Sequence, residues 1–328
     1  MVLILTRMDL EKVLAMGEVM EVVEGAFAQL AKGTVKMPLR TIIGIDKHKG
    51  FVFYMPAYLE GSDALAVKIV SLYEENLEKY RLPTIFATIQ LNDPKTGMPL
   101  ALMEGGYITA MRTGAASGVA TKYLARRNSR VVGIVGAGIQ ARAQLWAVRE
   151  ARDVEKVFVY DAVAGRARGY AEEMSERLGV NIIPVSSVEK AVREADILVT
   201  ATTAKEPVLN GNWLQPGTHI NAIGWMGRDA RELDSNTVKS ARLIVDSKEA
   251  VLAESGDILI PIKEGIITKD HIYAELGEIV IGRKAGRVSD NEITLWKSVG
   301  LAIQDAVTAK LAYQKAQEMN VGRETKLL

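Results

Sequence analysis

The glycines that follow the apolar run Val-Val-Gly-Ile-Val are spaced for binding a nucleotide. The strand pattern ends at Gly136, Gly138 follows, and a helix-forming segment begins with Ala141 in its first turn. In a Gly-x-Gly-x-x-Ala arrangement the first glycine permits a tight turn, the second lets the backbone approach a pyrophosphate, and the small third residue brings helix and strand together. The unpaired N–H groups of Ile139 and Gln140 would face the anion at the positive end of the helix dipole.

A carboxylate follows these glycines at the spacing that a dinucleotide site requires. The strand pattern Lys-Val-Phe-Val-Tyr ends in Asp161, and an acidic residue about twenty residues after the glycines typically binds the adenosine ribose hydroxyls. Because its charge would repel a 2′-phosphate, Asp161 favours NAD(H). Arg166 and Arg168 lie close behind it and leave NADP(H) as an alternative.

Two cations stand alone in apolar or small-residue segments. Lys68 is the only charge in the strand pattern from 64 to 73, and Arg112 is the only charge between Gly105 and Thr121. A charge buried in such a segment requires a partner of opposite sign, and a guanidinium suits a carboxylate or a phosphate. Two plainer readings stay open: the Lys68 ammonium reaches water past the strand edge, or Arg112 forms a structural salt bridge.

Other kinds of catalytic site find little support. The chain has no cysteine, and His48, His219 and His271 show no ligand spacing, so no catalytic metal is expected. His219 lies at a strand start, which favours a packed residue over a base. The sequence contains no Gly-x-Ser-x-Gly elbow, and the glycine-rich turn lacks the Gly-Lys-Ser/Thr ending of a P-loop.

The composition is that of an ordinary globular enzyme. The 328 residues are 48% hydrophobic and 25% charged, with a net charge of +1, and this length allows two domains. The charge balance gives no reason to expect nucleic acid as a partner. The apolar segment Met1–Leu5 is too short for a signal peptide, and no run reaches the roughly 18 apolar residues of a membrane span. We expect a cytoplasmic enzyme that binds neither nucleic acid nor membrane.

The elements that position these residues fall into two groups. In the middle of the chain strands and helices alternate four or five times, which predicts a doubly wound parallel sheet of the Rossmann type. Its ligand would lie at the carboxyl ends of the strands. The loops after Val135, Tyr160, Thr200 and Ile223 should therefore converge on the cofactor.

The first part of the chain reads as an α+β domain. A single helix is predicted from Asp9 to Lys32 because apolar residues recur at helical spacing, and several strands follow it. A long helix near 107–125 then leads into the parallel sheet, and a C-terminal helix near 301–319 is expected to pack back on the first domain. The fold class is thus α/β with an added α+β domain. That domain comprises residues 1–122 and 300–328, and the dinucleotide domain comprises 123–299.

The sequence resembles the ornithine cyclodeaminase and mu-crystallin family over essentially its whole length. The resemblance rests on ordered segments that match the family: Met55-Pro-Ala-Tyr58, Lys68-Ile-Val-Ser-Leu-Tyr-Glu74, Met111-Arg-Thr-Gly114, Gly136-Ala-Gly-Ile-Gln140, His219-Ile-Asn-Ala-Ile-Gly224 and Ser298-Val-Gly-Leu301. It implies binding of NAD(H) or NADP(H), a homodimer formed through the domain that does not bind the dinucleotide, and activity on amino acids or their imines.

The resemblance also assigns roles to residues. Arg40, Lys68 and Arg112 match the family's three cations around a substrate carboxylate. The positions that match the family's cofactor site are Thr84, Arg112, Thr113, Gly136, Gly138, Ile139, Gln140, Asp161, Ala201, Thr202, Ile223 and Val299.

Two departures from the family bear on the reaction. Cyclodeaminases have a glutamate at the position of Phe53 and a catalytic aspartate at that of Met226. The alanine dehydrogenase branch has an arginine and the aspartate there. An apolar ring cannot form a salt bridge with a substrate's second ammonium group, so Phe53 fits an imino acid better than a diamine.

The sequence therefore predicts an NAD(P)H-dependent reductase of cyclic imino acids, with Δ1-pyrroline-2-carboxylate giving L-proline. The three cations would orient the carboxylate for hydride transfer to C2. Lys68 would relay the proton, with Asp229 as the next candidate, although Asp229 also fits a solvated loop. Reductive amination by an alanine dehydrogenase and ornithine cyclodeamination are the alternatives, and a nucleotide-binding crystallin without turnover is the remaining one.

Overall fold

The computed structural model describes residues 1–224 and 227–326. The chain forms two compact units, one of Met1–Arg112 together with the segment that begins at Leu301, and the other of Thr113–Gly300. The first division lies inside a helix, before the boundary at residue 122 that the sequence predicts. In the described part of the chain, no helix combines the length and the apolar character that crossing a membrane requires.

The first unit contains a mixed sheet with helices. Its strands are β1 (Val2–Leu5), β2 (Val35–Lys36), β3 (Thr41–Ile45), β4 (Gly50–Leu59), β5 (Ala64–Tyr73), β6 (Ile85–Asn92), β7 (Pro99–Glu104) and β16 (Arg323–Thr325). Its helices are α1 (Arg7–Val13), α2 (Met16–Lys32), α3 (Asn76–Tyr80), the start of α4 (Gly105–Leu124) and α12 (Ala302–Met319). Among the described residues the sheet order is β16-β1-β7-β6-β5-β4-β2, with β3 paired to β4.

The two faces of this sheet differ in burial. Helix α12 packs on β4, β5 and β6, and α2 packs on α12, as the sequence predicts for the C-terminal helix. The covered face carries Phe53 and Met55 of β4 and Lys68 of β5, all buried. The opposite face carries Tyr54 and Ile69, which are directly paired and both 36% exposed. The opposite face therefore leaves large side chains partly exposed.

The N-terminal helix differs from the prediction. The single helix predicted from Asp9 to Lys32 is two helices, because α1 ends at Val13 and α2 begins at Met16. Leu14 and Met16 are both buried, yet residues two apart point about 200° apart on one helix. The break in the helix lets both side chains enter the core.

The second unit is a parallel sheet with helices between its strands. Its strands are β8 (Val131–Val135), β9 (Lys156–Tyr160), β10 (Asn181–Pro184), β11 (Ile197–Thr200), β12 (His219–Ala222), β13 (Arg242–Val245), β14 (Ile272–Glu275) and β15 (Thr294–Lys297). Its helices are the rest of α4, α5 (Ile139–Ala151), α6 (Ala164–Leu178), α7 (Val188–Arg193), α8 (Ser235–Ser240), α9 (Lys248–Glu254), α10 (Gly256–Lys263) and α11 (Leu276–Val280).

The strand order explains where this unit can bind a ligand. Among the described residues the order is β10-β9-β8-β11-β12-β15-β13-β14, and every pair is parallel. The predicted doubly wound sheet is therefore confirmed. The order reverses between β8 and β11, and in such sheets ligands bind outside the carboxyl ends of the strands at the reversal. Strands β14 and β15 were not predicted, and β15 lies between β12 and β13.

A buried histidine belongs to the framework of this unit. His219 Nδ1 lies 2.9 Å from Thr294 Oγ1, and its Nε2 lies 3.1 Å from Asn221 Oδ1. Asn221 in turn donates to Thr121 Oγ1 of α4. Burial lowers the pKa of His219 to about 3, so the ring is neutral at ordinary pH. His219 is a packed residue, as the sequence predicts, and it ties α4 to the sheet.

Candidate active site

A buried ion pair in the first unit involves the lysine that the sequence singles out. Lys68 Nζ lies 2.7 Å from Asp305 Oδ2, and both side chains are 2% exposed. Strand β5 carries Lys68 on its covered face, and α12 brings Asp305 onto that face. Thr109 Oγ1 accepts a longer hydrogen bond of 3.5 Å from the ammonium. Lys68 is therefore buried, and the alternative in which it reaches water past the strand edge is wrong.

The same aspartate also binds the second isolated cation. Arg112 Nε donates to Asp305 Oδ1 at 3.0 Å, and Arg112 Nη1 donates to Gln304 Oε1 at 2.8 Å. Arg112 is 6% exposed and Gln304 is fully buried. The amide Nε2 of Gln304 has no hydrogen-bond partner among the described residues. Arg112 thus has the salt-bridge partner that the plainer interpretation required, but it shares that partner with Lys68.

The charges in this cluster do not cancel. When Lys68 is protonated, Lys68 and Arg112 supply two positive charges, and Asp305 supplies one negative charge. Burial and the neighbouring Arg112 lower the pKa of Lys68 to about 7, although Asp305 opposes the shift. Arg40 also lies close enough for its charge to lower this pKa. An uncompensated positive charge away from water favours binding of an anion.

The side chains beside the cluster are apolar. Phe53 of β4 is 6% exposed and lies on the same sheet face as Met55, which pairs with Lys68. Its ring centroid is 6.5 Å from that of Phe51. Arg40 is half-buried in the segment just before β3. The structure therefore brings Lys68 and Arg112 together on one carboxylate and places an aromatic ring on the same face.

The glycine-rich turn of the second unit has the geometry of a phosphate site. Gly136 has a φ of +95°, and a Cβ there would lie 2.5 Å from the carbonyl oxygen of Ala201. A Cβ on Gly138 would meet nothing within 4 Å. Helix α5 begins at the next residue with no side-chain cap, so its first N–H groups lack intrahelical partners. An anion can therefore approach this backbone closely.

Two further features of the turn fit a dinucleotide. Ile139 is 64% exposed at the start of α5, and the buried Oε1 of Gln140 has no hydrogen-bond partner among the described residues. The Asp161 carboxylate accepts N–H groups of Ala137 at 2.9 Å and of Val163 at 2.8 Å. Asp161 thus connects the end of β9 to the glycine turn. The donor set of backbone amides and one carboxylate suits a pyrophosphate and a ribose.

The loops after β11 and β12 are held by a glutamate that no sequence motif singles out. Glu232 is fully buried. Its Oε1 accepts the N–H of Thr202 at 2.6 Å, and its Oε2 accepts Thr200 Oγ1 at 3.1 Å and the N–H of Gly224 at 2.9 Å. Ala201 and Ile223, both predicted to line the cofactor, lie in these two loops.

The remaining predicted cofactor residues fall in both units. Thr113 is 8% exposed, and its carbonyl oxygen accepts Gln144 Nε2 at 3.0 Å. Val299 donates its N–H to the buried Asp246 at 2.8 Å. Thr84 belongs to the first unit, where its carbonyl oxygen accepts the N–H of Tyr73. Their contact with a cofactor stays a prediction.

Asp229 and Met226 are two further positions that the sequence links to catalysis. Asp229 is exposed in a turn, and no hydrogen bond or ion pair of its carboxylate occurs among residues 1–224 and 227–326. This exposed position fits the solvated-loop alternative, and a proton relay through Asp229 stays a prediction. Met226, whose side chain replaces an aspartate of the cyclodeaminases, lies outside the described residues.

Comparison with known proteins identifies the family of the chain. The model of the ornithine cyclodeaminase/mu-crystallin family matches residues 1–320. The chain is similar to the solved structure of Thermococcus litoralis Δ1-pyrroline-2-carboxylate reductase in complex with NADH and L-proline. The sequence identity is 62%, the TM-score is 0.96, and the match covers 98% of this chain and 100% of that one.

Two further relatives carry the names of two different enzymes. The Δ1-pyrroline-2-carboxylate reductase of Bacillus cereus is 41% identical over 321 residues, which is 98% of each chain. An archaeal alanine dehydrogenase, solved as a dimer with bound NAD, is 40% identical with a TM-score of 0.93 and covers 100% of this chain and 99% of its own.

Proposed function

The chain belongs to the ornithine cyclodeaminase/mu-crystallin family, and we propose that it reduces Δ1-pyrroline-2-carboxylate to L-proline with NADH. It is an NAD-dependent imino acid reductase by its similarity to the Thermococcus litoralis and Bacillus cereus enzymes. The finer proposal concerns which residues bind the substrate and which residue supplies the proton.

The observation that carries the proposal is the sharing of one carboxylate by two buried cations. Asp305 neutralises one of the two positive charges on Lys68 and Arg112. The remaining positive charge favours binding of an anion. A substrate carboxylate is such an anion, and the ring of a cyclic imino acid is compatible with the neighbouring Phe53. Since Arg40 adds further positive charge nearby, a substrate with a second ammonium group is disfavoured.

The proton chemistry follows from the same cluster. An imine accepts a hydride readily only when its nitrogen is protonated, and a bound NADH supplies that hydride to C2. A pKa of about 7 lets Lys68 hold or release a proton at neutral pH. Carboxylate binding adds negative charge and raises the proton affinity of Lys68. The ammonium therefore orients the carboxylate and keeps a proton available for the imine nitrogen.

The chain's own residues would hold the cofactor in the second unit. The N–H groups at the start of α5 would bind the pyrophosphate, and Gly138 leaves room for it. Asp161 would bind the adenosine ribose hydroxyls and disfavour a 2′-phosphate. Exclusion of water by apolar side chains such as Phe53 would protect the imine from hydrolysis.

The exposed sheet face supports a homodimer. Tyr54 and Ile69 lie on this face, and Ile43 of β3, which pairs with Val52 on the same side, is 45% exposed. The archaeal alanine dehydrogenase to which the chain is similar is a dimer. We propose that two copies of this chain cover these faces against each other.

A panel of substrates tests the reaction. We expect NADH oxidation with Δ1-pyrroline-2-carboxylate and little with pyruvate plus ammonia, because a 2-oxo acid offers no preformed imine. Faster turnover with pyruvate plus ammonia would instead favour the alanine dehydrogenase alternative that the archaeal relative raises. Ammonia release from ornithine with catalytic NAD would favour cyclodeamination.

A further inference from the structure

A buried cluster of three charged residues lies beneath two loops of the parallel sheet. Lys297 Nζ lies 2.7 Å from Asp257 Oδ2 and donates to the carbonyl oxygen of Gly224 at 2.6 Å. Asp257 Oδ1 accepts the N–H groups of Glu232 and Leu233 at 2.8 and 2.9 Å. Lys297 is 1% exposed, Asp257 is 3% exposed and Glu232 is fully buried. We call Glu232, Asp257 and Lys297 the buried clasp.

The buried clasp fixes the carboxyl ends of two adjacent strands. Glu232 accepts hydrogen bonds from Thr200 at the end of β11, from Thr202 just after it and from Gly224 after β12. Lys297 donates to the carbonyl oxygen of Gly224. A Cβ on Gly224 would lie 2.1 Å from Glu232 Oε2, so the backbone there is pressed against the carboxylate. A shift of this carboxylate would move both loops.

The place of these loops in the sheet says which part of a dinucleotide they face. Strands β8, β9 and β10 form one half of the sheet, and the glycine turn and Asp161 of that half suit the adenosine side. Strands β11 and β12 lie across the reversal of strand order, in the half that binds the second mononucleotide. The proposed function uses NAD(H), and in NAD(H) the second mononucleotide carries the nicotinamide.

The charges of the buried clasp sum to −1 when all three groups are ionised. Both oxygens of Glu232 accept hydrogen bonds, which suits an ionised carboxylate. Burial raises the pKa of Glu232, and Asp257 acts in the same direction, whereas Lys297 and Thr202 oppose the shift. The nicotinamide ring is neutral in NADH and positively charged in NAD⁺. A net negative charge in a buried site therefore interacts with the two forms differently.

We propose that Glu232 is a positioning residue for the nicotinamide loops and that its buried charge favours NAD⁺ over NADH at this site. The preference for the oxidised form strengthens the bound NADH as a hydride donor. This inference rests on the proposed function only for the identity of the cofactor, since it concerns binding and not turnover.

The test is the affinity of the purified protein for each form of the cofactor, measured by fluorescence for NADH and by calorimetry for NAD⁺. E232Q removes the charge and keeps the size of the side chain, and its amide nitrogen can no longer accept one of the backbone N–H groups of Thr202 and Gly224. We expect its Kd for NAD⁺ to rise about tenfold and its Kd for NADH less than about threefold. The ratio of the two affinities should therefore change by about three- to tenfold, and a tenfold change corresponds to about 30 mV in the potential of the bound two-electron couple.

Two variants separate charge from structure. E232D keeps the charge and shortens the side chain, so its ratio of NAD⁺ to NADH affinity should stay close to that of the wild type. E264Q is the control, because Glu264 lies in the same unit and its side chain is 37% exposed. Removal of this negative charge should not change the ratio of NAD⁺ to NADH affinity. Equal weakening of both cofactor forms by E232Q would overturn the proposed preference for NAD⁺, and no change in either would overturn the positioning role as well. If E232Q shifts the ratio of NAD⁺ to NADH affinity but the wild type does not reduce imines, the inference on Glu232 is supported and the proposed substrate is wrong.

Discussion

Lys68 Nζ and Asp305 Oδ2 lie 2.7 Å apart in a site where both side chains are 2% exposed, and Asp305 is the one acidic partner of two buried cations there. Arg112 holds the other oxygen of the same carboxylate. A buried cluster with an excess charge costs stability, so its presence indicates a purpose other than holding the fold together.

Replacing Lys68 should separate activity from stability. Lys68→Met removes the excess charge and leaves Asp305 paired with Arg112. Loss of a charged hydrogen bond to the substrate, about 1.5–3 kcal/mol, should lower kcat/KM by roughly 10- to 150-fold, and loss of the proton source should lower it further. The melting temperature should stay equal or rise, because a buried ammonium is replaced by an apolar chain of similar length.

The control for this variant is Lys310→Met on the same helix as Asp305. Lys310 binds the carbonyl oxygen of Asp63 and lies outside the charge cluster, so kcat/KM should change less than about twofold. A Lys68→Met protein that keeps wild-type kcat/KM would contradict the assigned role of Lys68.

The pH dependence of ligand binding should follow Lys68. Its pKa is lowered to about 7, so the ammonium is present below that pH and is lost as pH rises through it. The affinity for L-proline in the presence of NAD⁺ should therefore fall above about pH 7. The charged groups that face Lys68 are Asp305 on α12, Arg112 on α4 and Arg40 before β3.

Asp305→Asn should move this midpoint toward acid. Asp305 raises the pKa of Lys68 while burial, Arg112 and Arg40 lower it, so removing the carboxylate leaves only the groups that lower it. Titration of L-proline affinity against pH checks the shift. An unchanged midpoint, or one displaced toward alkaline pH, would mean that Asp305 does not control Lys68.

Asp161 should determine the choice of cofactor. Its carboxylate accepts the N–H groups of Ala137 and Val163 and would bind ribose hydroxyls. Asp161→Asn removes the charge, so KM for NADH should rise about tenfold while KM for NADPH falls or stays constant. Steady-state kinetics with both cofactors measures this, and a parallel rise for NADPH would show that Asp161 only holds the glycine turn.

The exposed sheet face should hold the dimer. Ile69→Lys places a charge in the middle of this face, beside Tyr54, and desolvating it would weaken association. Sedimentation velocity should show more monomer than for the wild type. Leu77→Lys on α3, where Leu77 is 65% exposed, is the control and should leave the mass unchanged. A dimeric Ile69→Lys protein would mean that another surface mediates association.

Much of the second unit could be predicted because its signals are local. The glycine spacing, the carboxylate at Asp161 and the alternation of strands and helices all lie within short segments. Strand β15 could not be predicted because it has only four residues and follows a long polar loop. It lies in the sheet between β12 and β13. Only the three-dimensional strand order shows that position.

The partners of the predicted cations were missed for a different reason. Asp305 is the only charge in the run Leu-Ala-Ile-Gln-Asp-Ala-Val-Thr from 301 to 308, and Lys297 is the only charge in Thr-Leu-Trp-Lys-Ser. The signal that identified Lys68 applies to both and would have found them. Glu232 lies in Arg-Asp-Ala-Arg-Glu-Leu-Asp, where charges are frequent, and the sequence cannot show which of them is buried.

The central claim is tested most directly by comparing Δ1-pyrroline-2-carboxylate with Δ1-pyrroline, the same ring without the carboxylate, in the wild type and in Lys68→Met. The comparison cancels the intrinsic reactivity of the two imines. We predict that the wild type prefers the carboxylate substrate in kcat/KM and that Lys68→Met reduces this preference at least tenfold, by about 1.4 kcal/mol or more. An equal loss of kcat/KM on both substrates would show that the excess positive charge beside Asp305 does not bind the substrate carboxylate.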